Sequence, residues 1–417
     1  MPESVKKSLN IAFAGLGHRG LGLMDLMLDT MPDINIVALS DRYMDRVEEA
    51  KNHVITKRGN TPKGFTDYRD LLALPEVDAV ITPSNWESHI PVCLDAMKAG
   101  KPIATEVGGA YSIQQCWDLV KTYEETKVPV MLLENCCYGE TEMTVLNMVK
   151  KGLFGELIHA EGGYQHDLRE QVALGHEQRH YRLNNYKNRN GEVYPTHELG
   201  PIAKWLSINR GNRMVSLAAF ASKSRGINEW IKKNRGNDFE NAEYTFALGD
   251  VVTTVIKCAH GETIVLTHDT SLPRPYSRGN RLQGTKGIWM EDKNGVFFDG
   301  ISPKEGWDHK WESIEDYYGR YRHPLWNWYH ERGVEKAGHG GMDYLVLRAF
   351  VESIQNGTNT PIDIYDMAAW MAITCLSEDS IAMGGHQVPI PDFTNGQWID
   401  REPPVLWKYC LDEICEI

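Results

Sequence analysis

Residues 9–20 read LNIAFAGLGHRG. An apolar run of strand character ends in a glycine. Gly15, Gly17 and Gly20 then follow the spacing G-x-G-x-x-G, just before a stretch of helical periodicity over 20–30. The spacing carries meaning only in that order of strand, turn and helix. The first glycine makes a tight turn, the second lets backbone approach a phosphate, and the helix start favours negative charge. The runs 34–41, 77–83, 101–107 and 128–135 repeat the strand signal, with amphipathic helices predicted over 87–100 and 113–126. Short apolar strands alternating with helices predict a doubly wound parallel sheet, a Rossmann domain, over residues 1–137.

The second strand run ends in Asp41, where a carboxylate can bond ribose hydroxyls and would repel a 2′-phosphate. NAD is therefore expected over NADP, although Arg42 follows directly. The alternative is a glycine turn in a nucleotide-free α/β fold. The segment TPSNWESH (82–89) follows the next strand, on the side where such sheets bind ligands. Trp86 and His89 either flank the cofactor there or, for Trp86, pack under the loop.

Past residue 138 the rhythm changes. Strand-like runs at 155–167, 215–224, 242–249, 251–259, 263–269 and 286–292 have few helices between them. AEYTFALGDVVTTVIKCA (242–259) reads as a hairpin turning at Gly249-Asp250. Clustered strands predict an open, mostly antiparallel sheet in an α/β domain over 138–417, with two late helices at 339–355 and 364–382. Residues 295–335 are aromatic and irregular. Their rings either stack on a sugar or pack a long loop against its own domain, the second being the simpler account.

Composition narrows the function. The 417 residues fit two domains, and 42% hydrophobic with 24% charged residues is ordinary for a soluble protein. A net charge of −13 argues against nucleic acid as a partner. The eight cysteines form no Cys-x-x-Cys pair, so no metal site is expected, and reduced thiols point to the cytoplasm. The N-terminal residues carry no apolar signal core, and no run is long enough for a membrane span.

The order GLGHRG, ALSD, NWESH, KPIATEV and ENCCY resembles the Gfo/Idh/MocA oxidoreductases, which pair a Rossmann domain with an open-sheet domain. Two positions depart from the dehydrogenases of that family. Val107 stands where a lysine is usual, and Val193 stands four residues before His197, where an aspartate is usual. ENCCY (134–138), GGYQHDLR (162–169), HYR (180–182), RNGEVYPTHELGP (189–201) and HDTSLPRPYSR (268–278) together are similar to glycoside hydrolase family 109, the NAD-dependent α-N-acetylgalactosaminidases. Glu198 stands where that family more often has glycine.

The resemblance implies that Gly15, Gly17, Arg19, Gly20, Asp41, Trp86, Glu87, Ser88, His89, Glu106, Val107 and Asn135 serve NAD. It implies that Tyr164, Arg182, Tyr194, Pro195, Thr196, His197 and Tyr276 line a sugar pocket; Glu134, just past the last Rossmann strand, is placed to reach nicotinamide or sugar. It also implies a small carbohydrate or glycoside substrate and pairing of copies through the large sheet. The implied chemistry is transient oxidation at sugar carbon 3, loss of the carbon-2 proton, elimination of the aglycone, water addition and re-reduction. His197 is expected to take the carbon-3 hydroxyl proton as a neutral imidazole, with Tyr194 beside it. Tyr164 is a candidate for carbon 2 or the leaving group. A sugar or inositol dehydrogenase of the same fold, or a non-catalytic NAD-binding module, remain the alternatives.

Overall fold

A computed structural model describes residues 8–334 and 338–417. Six strands build the first sheet: β1 (Leu9–Ala14), β2 (Ile34–Ser40), β3 (Lys63–Phe65), β4 (Ala79–Thr82), β5 (Ile103–Thr105) and β6 (Val130–Leu132). Their order is β3-β2-β1-β4-β5-β6 and every pairing is parallel. β1 is apolar apart from Asn10 because helices cover both faces, leaving Ile11, Ala12 and Phe13 with no exposure. The strand order reverses between β1 and β4, so the loops after these two strands diverge around a crevice. They still touch at its floor: a Cβ on Gly15 would lie 2.7 Å from the Ser84 backbone.

Among the elements of this layer that escape the sequence reading are an edge strand and a helix. β3 is only Lys63-Gly64-Phe65, an edge strand without an apolar run. The helix Met44–Arg58 is charged along most of its length and buries only Val47, Ala50 and Val54.

The second sheet contains β7 (Leu157–Gln165), β8 (Met214–Ala221), β9 (Val251–Cys258), β10 (Thr263–Asp269), β11 (Arg281–Gly284), β12 (Gly287–Met290) and β13 (Gly295–Phe298). The order is β13-β12-β11-β7-β10-β9-β8, with short strands Glu312–Ser313 and Val388–Pro389 at the edges. Only the β7–β10 pairing is parallel. β9 alternates, burying Val252, Thr254, Ile256 and Cys258 and turning Val255 outward. The helix Thr196–Trp205 packs on the inner face. Gly162 of β7 makes room for it, since a Cβ there would meet Glu198 Cβ at 2.8 Å.

The expected hairpin at Gly249-Asp250 is wrong. Residues 242–249 form no strand, and β9 turns instead into β10 through 259–262. The reason lies in side chains. Asn228 Nδ2 donates to the carbonyls of Ala242 and Tyr244, and Asp250 accepts from the amides of Arg225 and Gly226. These bonds satisfy the segment without a ladder. The aromatic segment is also more regular than expected. It holds β13 and the helices Glu315–Tyr321 and Pro324–Arg332; residue 335 lies outside the described residues.

The late helices are Met342–Asn356 and Ile364–Ala382. Both return to the first layer. Arg348 Nη1 pairs with Asp33 at 2.7 Å, and Met371 O accepts from the Ala110 amide at 3.0 Å. This return closes one side of the crevice. Among the described residues no helix is long and apolar enough to cross a membrane.

Candidate active site

A cleft of about 1610 Å³ runs from the glycine turn to the inner edge of the second sheet. Its floor begins at Gly15, whose φ of +114° suits glycine alone. The helix His18–Thr30 starts at Gly17 with no side-chain cap, so its first-turn amides are left for a ligand. Gly20 stands behind the wall, where a Cβ would lie 2.2 Å from Gly15 O; it sets the packing of helix on turn. Asp41 lines the cleft, its carboxylate accepting from the Leu16 and Tyr43 amides at 2.7 and 2.9 Å. A glycine cradle, an uncapped helix start and an oriented carboxylate fit the pyrophosphate and ribose of a dinucleotide.

The other expected cofactor residues divide. Glu87, Ser88, His89, Glu106, Val107 and Asn135 line the cleft. Trp86 does not; it is 2% exposed, with Tyr181 and Tyr194 at ring distances of 5.0 and 5.4 Å. Arg19 lines the cleft, but its guanidinium is engaged: Nε bonds Glu106 at 2.8 Å, and both terminal nitrogens bond Asp343 at 2.8 and 2.9 Å. Asp343 also accepts from Asn135 Nδ2 at 2.8 Å. No local signal marked Asp343, which arrives from a helix more than three hundred residues downstream.

At the other end stand Tyr164, Arg182, Tyr194, His197 and Tyr276. Tyr164 on β7 meets the Tyr194 ring at 4.4 Å and the His197 ring at 5.5 Å, and Tyr194 meets His197 at 4.9 Å. The Arg182 guanidinium lies 5.4–5.9 Å from the rings of Trp86, Tyr164 and Tyr194 and donates to Gln171 Oε1 at 2.5 Å. Pro195 and Thr196 do not line the cleft; they start the helix that carries His197. The eight rings between Trp307 and Tyr329 do not line it either, and Trp307 is 98% exposed.

Glu134 is fully buried behind His197, with Oε1 2.8 Å from His197 Nδ1. This leaves Nε2 as the nitrogen free for a ligand. Burial alone would push His197 down, but Cys136 and the Glu134 carboxylate outweigh it and hold the ring well above its ordinary value. Burial would raise Glu134, yet the imidazole and the Cys136 amide hold it below the usual carboxylate range. Both directions favour an imidazolium beside a carboxylate in the ligand-free site, whereas the sequence reading expects a neutral imidazole.

Cys136 and Arg278 were not expected here. Cys136 is buried and lines the cleft. Its sulfur and ligand atoms of Glu134 and His197 lie within 4.8 Å of one another. Arg278 Nη1 donates to that sulfur at 3.2 Å and supplies positive charge to the cluster. Its position two residues after Tyr276, in the same quoted motif, was the available signal.

Behind this shell lie Glu192, Glu198 and His268, all at most 1% exposed. Neither carboxylate oxygen of Glu198 has a hydrogen-bond partner. Burial first, then the charge of Glu192, pushes Glu198 well above the usual carboxylate range.

Residues 138–400 match the C-terminal domain of glycosyl hydrolase 109, and residues 9–133 match the oxidoreductase family with an NAD-binding Rossmann fold. An alpha-N-acetylgalactosaminidase of Tannerella forsythia is 42% identical, aligned over 95% of this chain and 88% of that protein. One of Shewanella oneidensis is 36% identical over 95% of this chain and 87% of its own length. Among solved structures, levoglucosan dehydrogenase with NADH and levoglucosan superposes with a TM-score of 0.67 at 16% identity, covering 92% of this chain and 99% of that one. Myo-inositol 2-dehydrogenase of Lactobacillus plantarum gives 0.67 at 14%, over 92% and 100%. At such identities the likeness establishes the fold alone.

Proposed function

The chain belongs to the glycosyl hydrolase 109 family, and we propose that it is an α-N-acetylgalactosaminidase that oxidises its sugar transiently at carbon 3. Bound NAD+ supplies reversible hydride acceptance, so the cycle ends without net redox change. Gly15, Gly17 and the first turn of His18–Thr30 would hold its pyrophosphate, and Asp41 its ribose hydroxyls. We assign residues 1–137 to the cofactor and 138–417 to the sugar.

The observation that carries the reading is His197, which lines the same cleft as the glycine turn and is held from behind by Glu134. His197 handles the proton of the carbon-3 hydroxyl through Nε2. It takes that proton as the neutral imidazole, becoming the imidazolium that the adjacent carboxylate favours. Glu134 fixes the ring and stabilises its charge. Once carbon 3 is a ketone, the hydrogen on carbon 2 is acidic. A base removes it, and the electron pair left on carbon 2 expels the aglycone oxygen from carbon 1. Tyr164 is assigned to carbon 2 or to the leaving group, and Tyr194 to the hydroxyl beside His197. Arg182, permanently charged, holds sugar hydroxyls or the N-acetyl carbonyl. Tyr276 closes the sugar end.

The second reading is a sugar dehydrogenase, favoured by the fold alone. Against it, Val107 lines the cleft where such enzymes carry a lysine, and its amide bonds Glu106 Oε2 at 3.2 Å. An aryl α-N-acetylgalactosaminide distinguishes the two. Aglycone release without accumulating NADH supports the glycosidase; steady NADH formation on free sugar with no bond cleavage refutes it.

A further inference from the structure

We infer that Arg278 supplies the positive charge that stabilises the anionic stage of the reaction at the sugar end of the cleft. The inference rests on the elimination reading above. In that step the carbon-2 proton leaves to a base, and its electron pair spreads onto the carbon-3 oxygen as an enolate before the carbon 1–oxygen bond breaks. A growing oxyanion inside a protein needs a charge or dipole already in place.

Arg278 lines the cleft, whereas its partner Glu142 does not. One terminal nitrogen of the guanidinium pairs with Glu142 Oε1, which is 3% exposed, and the other donates to Cys136 Sγ at 3.2 Å. Glu291 adds a looser contact at 3.8 Å. The pair is therefore a fixed dipole with its positive end toward Cys136 and His197 and its negative end behind the wall. Coulomb energy falls with distance, so the cleft senses the near end more strongly.

The rear anchor is shaped for this. A Cβ on Gly139 would lie 1.9 Å from Glu142 Oε2, so any other residue at that turn would displace the carboxylate. Asn280 Nδ2 donates to Glu142 Oε1 at 3.4 Å, and Trp205 Nε1 donates to the Glu142 carbonyl at 3.1 Å. A buried ion pair adds little net stability over neutral residues of similar size. The arrangement makes better sense as a means of holding a cation at the cleft than as a brace.

The test separates the two. Replacing Arg278 alone strands a buried carboxylate, so the deciding variant is Arg278→Met with Glu142→Gln. It is expected to melt near the wild-type temperature and to bind NAD within about twofold of wild type, while aglycone release slows about 10²-fold. The primary isotope effect of a carbon-2-deuterated substrate should grow as the enolate step becomes limiting. A folded double variant with a rate within about threefold of wild type overturns the inference, and so does a slow variant with an unchanged isotope effect. If the double variant does not fold, Arg278→Gln takes its place, assayed where its circular dichroism is native, with the same two readings. If wild-type protein gains no deuterium at carbon 2 in D2O, the elimination reading fails and takes this inference with it. If wild type does and the variant behaves like it, this inference fails alone.

Discussion

His197 Nδ1 lies 2.8 Å from Glu134 Oε1, and the two residues are brought together from the end of β6 and the first turn of Thr196–Trp205. The contact fixes the ring, commits Nδ1, and stabilises a positive charge at the sugar end.

Glu134→Gln removes that charge and keeps the shape. Aglycone release should fall about 10²-fold or more, the range lost with a general acid–base partner. The His197 limb of the pH–rate profile should also move to lower pH, because the carboxylate that holds the proton is gone. A profile unchanged in position would assign the limb to another group.

The same pair makes ligand-free stability pH-dependent. His197 lies above its ordinary 6.5 when folded, so its contribution is complete below about pH 6.5 and is lost as pH rises through the folded value. Glu134 lies below its ordinary 4.5, so its contribution is present above about 4.5 and is lost as pH falls through the folded value. Urea titrations of wild type against Glu134→Gln/His197→Gln should differ most between these limits. A difference constant from pH 4 to pH 9 would refute the pairing.

Glu198 is the opposite case. Its folded value is raised, so protonation favours the native state and stability declines as pH rises above about 4.5. Glu198→Gln removes the proton requirement without changing the shape. Its melting temperature should gain about 1–3 °C over wild type at pH 8 and little at pH 5, measured by scanning calorimetry. A uniform loss at both would mean that an ionised Glu198 is paired in solution.

Gly15→Ala addresses the cofactor end. The positive φ and the 2.7 Å approach to Ser84 leave no place for a methyl group. The strain should cost about 1–3 kcal/mol, and NAD affinity by titration calorimetry should fall at least tenfold. Unchanged affinity would show that the glycine turn does not touch the dinucleotide.

Where apolar periodicity and glycine spacing dominate, the sequence was legible. The helix Ile364–Ala382 lies where its pattern placed it, and the glycine turn sits between β1 and its helix. The hairpin at Gly249-Asp250 misled because Asn228, a distant side chain, satisfies the backbone that a partner strand would have paired. β3 and Met44–Arg58 escaped because the layer beneath supplies their burial. At the site, the residue types of the quoted motifs were readable, but the upward pull on the His197 proton was not. It depends on Glu134 and Cys136, sixty residues away in the chain, at a spacing no local pattern encodes. Asp343 and Arg278 act through contacts that only the fold creates.

The most direct measurement is turnover of an aryl α-N-acetylgalactosaminide by the NAD-loaded protein in D2O, followed by absorbance and by mass and NMR analysis of the released sugar. Aglycone should appear with no rise in NADH, and the N-acetylgalactosamine should carry one deuterium at carbon 2. Aglycone release with carbon 2 still fully protonated, or NADH accumulating in step with turnover, would contradict the account.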